Sequence, residues 1–183
     1  PHQEIGTHTF PHYYCLEAGP SVADFRADLE AAIRVTPRKL GLVPRSIVFP
    51  RNQISPEHLA VCGDLGIVAY RGNPAGWAYR ARRHADEFSV RRAVRLADAY
   101  LPLGGTDAWV PRGGTDGPAN VPASRYLRPF APRLRALEPL RVRRIVADLR
   151  HAATRGLVYH LWWHPHDFGR HLQENLRVLR QIL

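Results

Sequence analysis

The chain has 183 residues, 45% hydrophobic and 23% charged, which is ordinary globular composition at a length that suits one domain with a sizeable core. No apolar run is long enough to span a bilayer, and no basic-then-apolar signal segment opens the chain. The net charge of +10 invites a nucleic-acid partner, but Lys39 is the one lysine and the arginines are dispersed, with short runs such as Arg82-Arg83, Arg91-Arg92 and Arg143-Arg144; the pattern predicts a solvated basic surface, of the kind GC-rich coding yields, and no nucleic-acid binding.

In chain order, Glu4 to Thr7 reads as a short strand running into His8. Ser21 caps a helix whose apolar positions are Phe25, Leu29, Ala32 and Ile33, with Asp24 three residues after the cap and Pro37 as its expected end. Cys15 and Cys62 have neither metal-type spacing nor a disulfide framework, and their apolar settings predict buried thiols. Ser46 to Phe49 is a short apolar run of the buried-strand type. Pro56 opens a second helix that Gly66 stops, and Ile67 to Tyr70 is the next buried strand.

Residues 89 to 100 have the pattern of a basic amphipathic helix. Residues 104 to 122 are rich in Gly, Pro and Asp and read as a long loop. Residues 141 to 155 are helical, with Val142, Ile145, Val146 and Leu149 at helical spacing. Leu157 to Trp163 is the most apolar strand, and Gln173 to Leu183 is a closing helix. This alternation predicts an α/β fold with a parallel sheet, and it fits an open sheet or a barrel equally. In both, functional groups gather beyond the C-terminal ends of the strands.

Three segments follow strands and carry more polar chemistry than a turn needs: residues 8 to 12, 49 to 53 and 164 to 167. His8 and His12, four residues apart, meet on one helical turn and could share an ion, but spacing alone is weak evidence and such a pair is more often ordinary surface or capping histidines. His164 and His166 lie just past the apolar strand with its two tryptophans, a setting that suits acid–base work or a hydrogen-bonded loop. Trp162 and Trp163 alternate along the strand, so at least one is expected in the core.

The run Glu4-Ile5-Gly6-Thr7-His8-Thr9-Phe10-Pro11-His12 resembles the second motif of the polysaccharide deacetylase family, the NodB-homology domain. Val48-Phe49-Pro50-Arg51-Asn52-Gln53 resembles its third motif, although Pro50 precedes Arg51 and Asn52-Gln53 replace the aromatic. Tyr159 to Pro165 resembles the last motif. Tyr70-Arg71-Gly72-Asn73 holds the place of the fourth without matching it cleanly. The resemblance covers nearly the whole chain, loosely over residues 75 to 140. It implies a single domain over residues 1 to 183 with the fold of a partial, distorted (β/α) barrel.

The resemblance further implies a metal-dependent hydrolase that removes N-acetyl or O-acetyl groups from a glycan. It implies that His8 and His12 bind a divalent metal, zinc or cobalt, and that His164 is the catalytic acid, with His166 the rival for that role. Arg51, Asn52, Arg71, Trp163 and His166 then contact substrate, and the N–H after Arg51 helps the metal hold the oxyanion. The family's aspartate pair, which supplies the base and the third metal ligand, has no counterpart before His8, where Glu4 is the one carboxylate; the expectation is a domain truncated at its N-terminus. Two other readings are a carbohydrate-binding relative without catalysis and a related hydrolase of non-peptide C–N bonds.

Overall fold

A computed structural model describes residues 3–101, 105, 107–110 and 117–183. It is a mixed α/β structure with small parallel sheets. The chain divides into two compact units, one of Pro1–Asn73, Arg80–Glu87 and Arg112–Val121, the other of Pro74–Tyr79, Phe88–Pro111 and Pro122–Leu183. Among the described residues no helix is long and apolar enough to cross a membrane.

The first unit is organised by helix α1 (Val22–Leu40). Ser21 Oγ accepts the Asp24 N–H at 3.2 Å and the Asp24 carboxylate accepts the Ser21 N–H at 2.9 Å, a reciprocal cap that contributes about 1 kcal/mol. Helical spacing puts Phe25, Leu29 and Ala32 on one buried face. The expected stop at Pro37 is corrected, because the helix runs three residues further. Pro37 falls in the last turn, where it forfeits one helical bond, and Gly41 at φ 70° closes the end by donating to the Pro37 carbonyl at 3.0 Å.

Strand β1 (Ser46–Ile47) pairs in parallel with β2 (Ala69–Gly72) in the register Ser46↔Ala69 and Ile47↔Tyr70, and β3 (Ala119–Pro122) lies beside β2. The expected strand at 67–70 starts later because the Ile67 N–H still serves the end of helix α2 (Pro56–Asp64), donating to Cys62 O at 3.0 Å. The expected strand at 4–7 shrinks to one parallel bridge between Thr7 and Ile47. Phe25, Phe49, Leu29, Ile47, Val61 and Ile67 form the core, with Phe25 stacked on Phe49 at 5.9 Å. Cys62 is buried there and Cys15 packs against it; both thiols are free and pushed up to about 12 by burial.

The second unit contains α3 (Ser89–Asp98), β4 (Arg125–Tyr126), α4 (Glu138–Arg155), β5 (Leu161–Trp162) and α5 (Leu172–Ile182). Strands β4 and β5 pair in parallel, Arg125↔Leu161 and Tyr126↔Trp162. The expected strand at 157–163 is therefore shorter, since its partner offers two residues; Val158 instead bridges Trp109 in an antiparallel pair. The expected loop at 104–122 lies partly outside the described residues, and its end, 119–122, is strand β3. Leu127, Ile145, Phe168, Val178 and Ile182 make the core.

The expectation of a wholly solvated set of arginines is corrected in this unit. Arg91, Arg125, Arg141 and Arg144 are buried. Arg125 pairs with Asp107, with Asp98 at 3.6 Å and with Asp148 at 3.9 Å, and Arg144 pairs with Asp98 at 3.2 Å. Arg141 pairs with Glu138 one turn before it on α4. Burial raises the pKa of Asp107 and of Asp148, with Arg125 opposing the rise in each.

Truncating the fully buried ring in Phe25→Ala leaves a cavity in the first core and should cost about 3–5 kcal/mol in denaturant unfolding. The second unit carries a pH signature. Asp107 and Asp148 titrate above the ordinary 3.8, so the stability they contribute is complete below that pH and is lost as pH rises through the raised values. Unfolding followed from pH 3.5 upward should show a smaller decline in Asp148→Asn than in the wild type; parallel declines would refute the assignment.

Candidate functional site

In the first unit, the groups singled out by sequence sit at or just past the last parallel-paired residues, with Arg71 still inside β2. Thr7 pairs with Ile47 and Ile47 with Tyr70, and the next residues are His8, Val48 and Arg71. Gly6 permits this approach, since a Cβ there would lie 2.7 Å from Ser46 Oγ and 3.1 Å from the Ser46 carbonyl oxygen.

His8 and His12 come together, with ring centroids 4.8 Å apart and edge to face. They do so without the expected helical turn. Pro11 disfavours a helical Phe10, and Thr9 and His12 take φ of 62° and 56°. The loop is held by Thr9 Oγ1, which accepts the Tyr13 N–H at 2.8 Å, and by the Asp28 carboxylate, which accepts the Phe10 N–H at 3.1 Å. His8 Nδ1 lies 2.6 Å from the Val48 carbonyl oxygen, and His12 Nδ1 lies 3.0 Å from the Tyr14 hydroxyl. The Arg51 guanidinium stands over the Tyr14 ring at 4.6 Å, so one chain of contacts joins His8, His12, Tyr14 and Arg51.

Arg51 and Asn52 also have positive φ, 52° and 54°. Four of the five such non-glycine residues described thus lie in these two segments, where strain of this kind marks a constrained site. Asn52 Oδ1 accepts from Arg71 at 2.7 Å, and the Asn52 carbonyl accepts from Asn73 at 3.1 Å. Burial lowers the Arg71 pKa to about 10. Gln53 is structural: its buried amide binds the Leu16 N–H, the Glu17 carboxylate and the Arg82 carbonyl. The N–H after Arg51 is corrected as an oxyanion donor, because it closes the turn on the Phe49 carbonyl at 3.0 Å.

In the second unit, Trp163 stacks on Phe168 at 5.8 Å and packs against the core. Trp162 is the tryptophan beside His164, at 5.4 Å, and it also meets Tyr126 at 4.6 Å. His164 Nδ1 donates to Asp167 Oδ2 at 3.3 Å, and the Tyr126 hydroxyl donates to the same oxygen. Burial first, then Asp167, raises the Tyr126 pKa. His166 stacks on His164 at 5.1 Å and is exposed. Tyr14 and Tyr126 were not singled out by sequence, and Asp167 lay in the segment 164 to 167 without an assigned role. Asp167 had a readable signal, a carboxylate three residues after a histidine.

The His8 contact fixes a tautomer. A carbonyl oxygen only accepts, so Nδ1 carries the proton and the lone pair lies on Nε2. Long-range ¹⁵N–¹H NMR at a pH where the ring is neutral should show His8 protonated at Nδ1, the minority form of free histidine. A Nε2-protonated His8 would overturn the geometry.

No protein-family model matches the chain, and no curated protein matches it. A solved structure does: the "putative polysaccharide deacetylase from Mycobacterium smegmatis", at TM-score 0.59 and 15% sequence identity, over 99% of this chain and 55% of that one. The chain therefore spans about half the length of the protein it resembles in fold.

Proposed function

We propose that this chain is part of a hydrolase of the deacetylase type, acting on an acetylated glycan through a partial, distorted (β/α) barrel. The observation that carries this reading is the gathering of His8, His12, Arg51 and Asn52 past the paired residues Thr7 and Ile47, with Arg71, inside β2, bonded to Asn52; strand ends of this kind are where α/β folds hold their active groups. The fold likeness to a protein named as a deacetylase supports it.

In this reading His8 and His12 are two donors to a divalent ion, zinc or cobalt. A catalytic zinc site takes three protein donors, and among the described residues no carboxylate or thiol completes a group with this pair. The pair alone does not make a closed site. Arg51, braced on Tyr14, and the Asn52–Arg71 pair present hydrogen-bonding groups to sugar hydroxyls. Trp162 and Tyr126 offer ring faces to a sugar, and the exposed His166, stacked on His164, is a further contact. His164, oriented by Asp167 through Nδ1, delivers a proton from Nε2 to the departing amine or alcohol. The incomplete donor set favours one rival, a carbohydrate-binding relative without catalysis.

The test is acetate release from an N-acetylated glycan by the protein expressed from its complete gene, with zinc measured on the same samples. His164→Ala should lower the rate by about 10²–10⁴-fold, the usual worth of a positioned acid. His8→Ala and His12→Ala should lower both zinc content and rate. Glycan binding without acetate release would establish the rival.

A further inference from the structure

The second unit contains a donor set that the proposed reading uses only in part. His164, His166 and Asp167 each offer one ligand atom, and the three atoms lie within 4.8 Å of one another. His164 Nδ1 is 3.3 Å from Asp167 Oδ2, and His166 Nε2 is 3.7 Å from Asp167 Oδ1. Zinc bonds of 2.0–2.2 Å in a tetrahedron put neighbouring donors about 3.4 Å apart. The separation of His164 Nδ1 from Asp167 Oδ2 already suits one ion, and the exposed His166 ring can close on the same point by rotating.

The local chain explains the convergence. Pro165 starts a short 3-10 turn, Pro165–Phe168, and the Asp167 N–H donates to the His164 carbonyl at 3.0 Å. Positions three apart in such a turn eclipse, which sets Asp167 under His164. The carboxylate is further held by the Tyr126 hydroxyl, the kind of outer hydrogen bond that orients a metal ligand. Tyr126 is fixed by its pairing with Trp162.

We propose that His164, His166 and Asp167 bind a divalent metal of the zinc or cobalt class, with no donor from His8 or His12. Two imidazoles and one carboxylate match borderline metals better than calcium or magnesium. A three-donor site leaves one position open and exposed, so the ion should exchange. The binding half of the proposal stands on the second unit alone. A consequence rests on the acid role proposed for His164: with a metal on Nδ1 and its proton on Nε2, the ring cannot take up a second proton and cannot serve as acid. The metal then acts as a brake at elevated concentration.

The experiment is a calorimetric zinc titration of the protein from its complete gene, with circular dichroism as the folding control. His166→Ala and Asp167→Asn should each weaken one zinc-binding event tenfold or more. Tyr126→Phe, which removes the outer hydrogen bond, should weaken it about 10–100-fold. A His8→Ala/His12→Ala double variant should retain this event. Unchanged zinc binding in His166→Ala and Asp167→Asn, or its loss in the double variant, overturns the site. Excess zinc should slow acetate release in the wild type, relative to its own low-zinc rate, and should do so less in His166→Ala; equal inhibition overturns the brake. Absence of acetate release from every form sinks the hydrolase reading, and the titration still decides the site.

Discussion

The second unit depends on the burial of one guanidinium. Arg125 is 5% exposed in a two-residue strand, and it reaches Asp98, Asp107 and Asp148. Two residues of parallel pairing have little stability of their own. A slip of one residue would turn Arg125 to the other face and take it away from these carboxylates, leaving Asp98 and Asp107 with Arg144 alone as their cationic partner. Removing one member of a buried ion pair costs about 3–5 kcal/mol, more than a two-residue ladder contributes. The register so chosen sets Tyr126 beside Trp162, and through Tyr126 it fixes the Asp167 carboxylate and the His164 ring. An interaction that looks purely structural thus positions the groups with the most chemistry in this unit.

The first unit solves the same problem with backbone bonds. The Val48 N–H donates to Thr7 O, the Thr7 N–H donates to Ser46 O, and the Val48 carbonyl accepts from the His8 ring. One residue of β1's continuation therefore holds both the strand end and the imidazole that follows it. Phe25 and Phe49 stack beneath, so the turn carrying Arg51 and Asn52 starts from a residue that cannot move without disturbing the core. The positive φ angles at Thr9, His12, Arg51 and Asn52 are tolerated because of this support. Each costs of the order of 1–3 kcal/mol in an unsupported loop.

What the sequence made legible was what depends on period and punctuation. The Ser21–Asp24 cap, the Phe25/Leu29/Ala32 face, Pro56 opening a helix and Gly66 ending it are local signals, and the structure follows them. Strand lengths were not legible, because a strand ends where its partner ends, and the partners of Leu157–Trp163 lie far off in the chain. Strand β4 was missed for a sharper reason: its buried residue is an arginine, which hydrophobic patterning assigns to solvent. Among the site residues, the approach of His8 to His12 followed from spacing, while the conformation achieving it did not; Pro11 and a left-handed Thr9 replace the helical turn. Asp167 was passed over because the last motif was read for its histidines, although a carboxylate three residues after His164 suffices to reach it in a tight turn.

The strong positive charge bears on which ligands this molecule can hold. The buried arginines of the second unit are nearly matched by buried Asp98, Asp148 and Glu138, so the surplus behind the formal +10 belongs to the surface. A surface of that sign repels cations at long range, although screening confines the effect to about 8 Å at physiological ionic strength. A hard cation, bound by charge through several carboxylates, gains little here. The His164, His166 and Asp167 group supplies one carboxylate and two imidazole nitrogens. Its attraction for an ion is mostly the bond to imidazole, which a distant positive field weakens only modestly. The same field opposes every divalent cation, so a metal at the proposed site would have to be held by its bonds to imidazole, which favours zinc or cobalt over calcium or magnesium there.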